Sequence, residues 1–315
     1  MLEVPLLKRL DGHQRILLAG AGGGFDILSG LPLYFWLRAR GKQVFLANLS
    51  FTRLEQCSAP RITPVLVEVG PDSDGPDFYF PERYLCQWLC QHEDPDARLY
   101  CFEKAGVAPL RQAYQALVDK LEVEALVLVD GGTDSLMRGD EDGLGTPSED
   151  LASIAATCQL ELPTRLLTCI GFGVDTFHGV CHHYFLEAVA DLTRAGGFLG
   201  AFSLLPDFPE SFRFKQALDY VHGQMPDYPS IVASSILSAT VGRFGDVHST
   251  TRTQGSELYI NPLMSLYWSF ELSAVAQRCL YLKDLLETDD FAAISLAIRR
   301  FRSGRELRGW KDLPV

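Results

Sequence analysis

RILLAGAGGGFDILSGLPLYFWLRARG, residues 15–41, decides the fold. A short apolar run, RILLAG, ends on glycines at 20, 22, 23 and 24, and a longer apolar-rich segment then continues to Gly41. A brief apolar run closed by a glycine turn reads as a buried strand, and the longer segment after it reads as a helix. Outward from this stretch the same alternation recurs. Candidate strands lie at 43–49, 62–69, 98–102, 125–130, 165–171, 198–205 and 257–260, separated by helical patterns such as PLRQAYQALVDKLEV (109–123). This predicts an α/β fold of three layers around a mostly parallel, Rossmann-like sheet. After about Pro206 the pattern turns mainly helical, with PLMSLYWSFELSAVAQRCLYLKDLL (262–286) as its longest apolar-rich segment. Residues 206–315 are therefore expected to pack as a helical part on a single α/β domain spanning 1–315. They would cap the sheet or form an interface, including one between like subunits.

Composition narrows the function. The 315 residues carry a net charge of −12, which argues against nucleic acid, because phosphate backbones are held by clustered Lys and Arg. No charged start leads into an apolar signal segment, and no apolar run approaches the roughly 20 residues of a membrane span. The eight cysteines include no CxxC pair and lie mostly in apolar runs, as expected of reduced core thiols in the cytoplasm.

The turn after the first strand is a candidate ligand site. Gly22, Gly23 and Gly24 let the backbone approach a ligand, and the helix start behind them, with Asp26, offers N–H groups to a phosphate. On this reading Gly23→Val blocks the ligand and spares the fold. The spacing is not GxGxxG, since Phe25 stands where the third glycine belongs, and the second strand ends on Asn48 rather than an acid. Both departures disfavour an NAD-dependent oxidoreductase. The bland alternative is a tight turn without a ligand.

The stretch ALVLVDGGTDSLMRGDEDGLGTPSED (125–150) repeats the design: a strand delivers Asp130, two glycines turn the chain, and Asp134 follows. In open α/β sheets ligands bind beyond the carboxyl ends of the strands, where both aspartates are aimed. Arg138 could grip an anionic substrate, Asp140 to Asp142 read as solvated, and Ser148 or Glu149 reads as the start of the next helix. A third copy, RLLTCIGFGVDTFHGVCHHYFLE (165–187), places Asp175 beyond Gly171 and Gly173. His178 and His182, four apart, would share a helix face and resemble half of a metal site. No third ligand is local unless Asp175 serves, so no metal is assigned. In HSTTRTQGSELYINPLM (248–264), Arg252 and Asn261 are candidates for holding an anion. No GxSxG elbow or Cys/His nucleophile motif occurs.

Taken in order, AGGGFDILSGLPL, VDGGTDSLMRGDEDGLGTPSED, GFGVDTFHGVCHHYFLE, RAGGFLGAFSL and RTQGSELYINPLM resemble the domain-of-unknown-function family numbered 1152, over about residues 14–300. The resemblance implies a single α/β domain and carries over no substrate. The segment GAGGGFDILSGLP also resembles the GAG…GIP loop of sirtuin-type NAD-binding proteins, with two extra residues between the glycines.

Together these readings predict a hydrolase or group transferase on a nucleotide-like or phosphorylated small molecule. Asp134, Asp175 and His178 would be its catalytic groups, and Gly22, Gly23, Gly24, Asp26, Asp130, Arg138, Arg252 and Asn261 would bind the ligand. The alternative is a non-catalytic sensor or assembly subunit. The sequence names no cofactor.

Overall fold

The computed structural model describes residues 4–313. Eleven strands form in chain order: β1 Arg15–Gly20, β2 Gln43–Leu49, β3 Arg61–Thr63, β4 Leu66–Val69, β5 Leu99–Phe102, β6 Ala125–Asp130, β7 Thr164–Cys169, β8 Phe198–Ser203, β9 Gly245–Asp246, β10 Tyr259–Ile260 and β11 Leu266–Glu271. The helices are α1 Pro5–Asp11, α2 Asp26–Ser29, α3 Leu31–Ala39, α4 Pro81–His92, α5 Val107–Leu121, α6 Pro147–Thr157, α7 His182–Arg194, α8 Pro209–Gln224, α9 Ile231–Thr240, α10 Leu272–Arg278, α11 Leu282–Leu285 and α12 Phe291–Arg302.

Nine strands make one sheet in the order β3-β4-β5-β2-β1-β6-β7-β11-β8. The central five, β5-β2-β1-β6-β7, pair in parallel. β4 runs against β5 and β3, and β11 runs against β7 and β8, so only these two oppose the common direction. Side chains alternate across each strand and so feed two cores. Leu17 and Ala19 of β1 and Leu126 and Leu128 of β6 face a core built with α5, α6, α7, α10 and α12. Ile16, Leu18, Val127 and Val129 face the other, built with α1, α3, α4, α8 and α9. These strand residues are wholly buried, and each Leu or Ile contributes about 2 kcal/mol by leaving water. Helices on both faces of a mostly parallel sheet make the fold the expected three-layer α/β arrangement.

Three expectations need correction. The segment 62–69 is not one strand: Pro64 lies between β3 and β4, which fold back on each other as an antiparallel pair. ELYI contributes only β10, paired with β9 in a separate ribbon. The apolar segment 262–286 is not wholly helical either, since its first half supplies β11, inserted antiparallel between β7 and β8. Side chains such as Phe270 are buried there because the strand lies inside the sheet.

The chain builds β1, β2 and β5 outward on one side, then returns to lay β6 and β7 on the other. The strand order thus reverses between β1 and β6. Carboxyl ends of strands at such a reversal leave a crevice between diverging loops, the position where open α/β sheets bind ligands.

Candidate functional site

At that reversal the turn after β1 and the turn after β6 lie side by side, with the Ala21 N–H donating to the Val129 carbonyl at 2.8 Å. Gly23 has φ +88°, and a Cβ there would lie 2.6 Å from the Leu49 carbonyl oxygen. Gly23→Val therefore strains the backbone as well as the turn's surroundings, contrary to the expectation that the fold would be spared. The Gly22 N–H donates to Asp26 Oδ2 at 2.6 Å, and the Gly24 N–H donates to the Leu49 carbonyl at 3.1 Å. Both donors are thereby satisfied within the chain, and the turn presents a carboxylate where a phosphate-binding loop presents N–H groups.

Four further aspartates gather around Asp26. Asp130, at the end of β6, accepts from the Ser135 hydroxyl and backbone N–H. Asp134 accepts from the Thr146 N–H at 2.6 Å and hydroxyl at 2.9 Å. Asp175, in the short turn after β7, accepts from the Thr133 N–H at 2.7 Å. Asp150 enters from the first turn of α6, its Oδ2 3.4 Å from the Thr146 hydroxyl, while its Oδ1 is buried with no hydrogen-bond partner. The glycines of these loops are required by the packing: a Cβ on Gly132 would lie 2.6 Å from Asp175 Oδ2, and one on Gly145 2.2 Å from Asp134 Oδ2. Asp130, Asp134, Asp150 and Asp175 are buried, while Asp26 is half-buried and reaches the surface. Beside Asp26, the Phe51 ring and the Tyr79 hydroxyl stand over Gly24. Lys104 lies 3.8 Å from the Phe51 ring centre and pairs with Glu149.

Among the described residues, no Lys, Arg or His forms an ion pair with any of the five. Burial penalises an unpaired charge, and neighbouring carboxylates penalise it further. Burial accordingly holds Asp26 up to about 7 despite the opposing Gly22 N–H. Asp130, Asp150 and Asp175 are pushed well above the usual carboxylate range by burial first and by the charge of Asp134 next. One oxygen from each of Asp26, Asp130 and Asp150 lies within 4.8 Å of the others, the set among the described residues that could hold a metal ion.

The remaining candidates sit elsewhere. His178 is exposed on the turn after β7. It does not share a helix face with His182, because Gly179 at φ +84° ends that turn and α7 starts only at His182. His182 packs on Phe172, and burial lowers its proton affinity. Arg138 grips Asp140 through two hydrogen bonds, at 2.9 and 2.7 Å. Arg252 donates to the Pro229 carbonyl at 3.0 Å. Asn261 caps the turn at Leu263 and donates to the Phe172 carbonyl, tying the β10 end to the β7 loop. The acids after Arg138 are not all solvated. Asp142 is exposed, but Glu141 is wholly buried, with N–H groups of Arg138 and Gly139 and the Arg308 guanidinium on its carboxylate.

Asp150 is absent from the site residues expected from sequence, which place Ser148 or Glu149 at the start of a helix; an acid in a helix's first turn is common without a ligand. α6 is buried on every side from Asp150 to Thr157, so Asp150 enters the site from a helix enclosed by the fold.

The family described as "Protein of unknown function (DUF1152)" matches residues 81–309, and the chain belongs to it. No curated protein and no solved structure matches the chain.

Proposed function

We propose that the chain is an enzyme catalysing hydrolysis or group transfer on a small hydroxylated, nucleotide-like molecule, with the aspartate cluster as its acid–base apparatus. The observation that carries this reading is the convergence of Asp26, Asp130, Asp134, Asp150 and Asp175 at the sheet's reversal point, with no ion pair to any of them among the described residues. Unpaired buried carboxylates cost stability, so a fold that gathers four of them beside Asp26 is compensated by what they do.

Two carboxylates in one site can divide the labour of acid and base. Asp134, positioned by the Thr146 N–H and hydroxyl, serves as general base toward a hydroxyl or water. Asp175, pushed upward, holds a proton to deliver to a leaving group. His178, exposed on the same turn as Asp175, is the candidate proton donor. Carboxylates accept from sugar hydroxyls, and the half-exposed Phe51 ring beside Asp26 offers a stacking surface for a planar group.

An NAD-dependent oxidoreductase gains no support. Asn48, at the end of β2, spends its amide on the Gly24 carbonyl and on buried Glu82 rather than presenting an acid to a ribose. The eight unpaired thiols support a reducing compartment. Among the described residues, no helix is long and apolar enough to cross a membrane.

The test is mass spectrometry of small molecules retained through purification, followed by turnover assays with nucleosides, nucleotides and sugar phosphates. Turnover that collapses in Asp134→Asn supports the reading. A retained ligand that raises the melting temperature without ever being converted replaces it with a sensor.

A further inference from the structure

We propose that Asp26, Asp130 and Asp150 form a binding site for one hard divalent cation of the magnesium, manganese and calcium class, entered past Asp26. The site goes beyond the acid–base reading and does not depend on it.

Three observations converge. First, the carboxylates come from three segments, the turn after β1, the end of β6 and the first turn of α6, yet their ligand atoms lie within 4.8 Å of one another. Two oxygens on one ion can be no farther apart than twice the metal–oxygen distance, about 4.2 Å for magnesium and about 4.6–5.2 Å for calcium. Oxygens within 4.8 Å of one another are close enough to share one ion of this class. Second, Asp150 Oδ1 is buried without a hydrogen-bond partner, and the side chain is 1 % exposed. It faces the other carboxylate across Gly22, where an added Cβ would lie 2.4 Å from Asp150 Oδ1 and 3.0 Å from Asp26 Oδ2. Only glycine leaves this gap open. Third, two of the carboxylates have a donor on an oxygen, the Gly22 N–H on Asp26 and Ser135 on Asp130. Such outer hydrogen bonds orient metal ligands and leave the remaining oxygens for the ion.

The donor set defines the cation. All three ligands are carboxylate oxygens, with no thiol or imidazole among them, and such a set favours hard oxygen-seeking ions over zinc or copper. Among the described residues no ion pair is made to the three carboxylates, so a divalent ion is the charge that completes the site. Asp26 is half-buried while Asp130 and Asp150 are buried, which gives the ion its route from solvent.

The experiment titrates the full chain, stripped with EDTA and dialysed at pH 7.5, with manganese chloride, reading free Mn²⁺ by its electron paramagnetic resonance signal. One ion per chain is expected, with affinity on the order of micromolar. Competition by Mg²⁺ and Ca²⁺ and a rise in melting temperature should accompany it. Asp150→Asn preserves the side chain's shape and should weaken binding by about a hundredfold, whereas Asp142→Asn should bind as the unaltered chain does. Absence of a bound ion in the unaltered protein overturns the proposal, as does undiminished binding in Asp150→Asn. Should that variant not fold, Asp26→Asn takes its place on the same criterion. Turnover by a chain that binds no Mn²⁺ on titration overturns this site and leaves the acid–base reading standing. Bound Mn²⁺ without any turnover supports the site and leaves that reading to its own test.

Discussion

The stretch from Asp130 to Asp150 feeds two acidic groups that solve the same electrostatic problem in opposite ways. Asp130, Asp134 and Asp150 join Asp26 and Asp175, and among the described residues none of the five has an ion pair. Asp140 and Glu141, between them in sequence, are clasped by arginines. Arg138 and Arg308 both hold Asp140, Arg308 also holds Glu141 and Glu187, and Arg302 donates to the carbonyls of Gly139, Glu141 and Asp142. The arginine-bound group ties this loop to the C-terminal segment and is complete as it stands. The aspartate group is incomplete, and what it lacks is a proton, a substrate hydroxyl or a cation. Acidic residues of equal density along the chain thus separate into structure and site by whether the fold brings positive charge to them.

The largest expected effect is on pH dependence, because the two groups have opposite signs. Asp26 is raised from 3.8 to about 7, so the folded chain keeps a proton that the unfolded chain has released. That contribution is complete below pH 3.8 and lost as pH rises through about 7, and Asp175 adds in the same direction. Asp140 is lowered by its hydrogen bonds to Arg138 and by the charge of Arg308. Its contribution is present above 3.8 and lost as pH falls through its folded value. Urea midpoints measured in chelator should therefore fall from pH 5 to pH 8 and fall again below pH 4. A midpoint that climbs steadily from pH 5 to 8 would erase the distinction between the groups. Next, Arg308→Ala should cost about 3 kcal/mol, since it strips the guanidinium from buried Glu141. An unchanged denaturation midpoint would mean that the arginine network is ornamental. Asp134→Asn should lower turnover on the order of a hundredfold while the melting temperature barely moves, the reverse of Arg308→Ala. Smallest of all, Asp142→Asn should alter stability by less than about 0.5 kcal/mol and turnover not at all; a large effect on either would place the boundary between the groups wrongly.

Sequence reading reached the parallel centre of the fold because each strand there is buried on both faces and stops at a sharp chemical boundary. β1 ends on Gly20 and β6 on Asp130, and both were legible to the residue. β11 was not, because LYWSFE runs into a genuine helix without a break, and its strand state depends on β7 and β8 both needing a neighbour. Among the acids, Asp26, Asp130, Asp134 and Asp175 announce themselves as aspartates beside glycines at strand ends. Asp150 lies three residues after Pro147 of α6, where local rules already account for an acid. Nothing local reports that this first turn packs against two strand-end loops. Glu141 shows the converse, an acid in a glycine-rich loop whose burial depends on Arg308, far along the chain.

The insertion of β11 sets a timetable for synthesis. β8 emerges from the ribosome well before residues 266–271, yet its only strand partner is β11, and β7 likewise keeps one edge unpaired until then. At about 5–20 residues per second, the interval lasts several seconds, during which two strand edges stand open to pairing with other chains. A chain that stops short of residue 266 never closes them. The growing polypeptide is thus most vulnerable to aggregation late in translation, when most of its parallel sheet already exists and lacks one antiparallel strand.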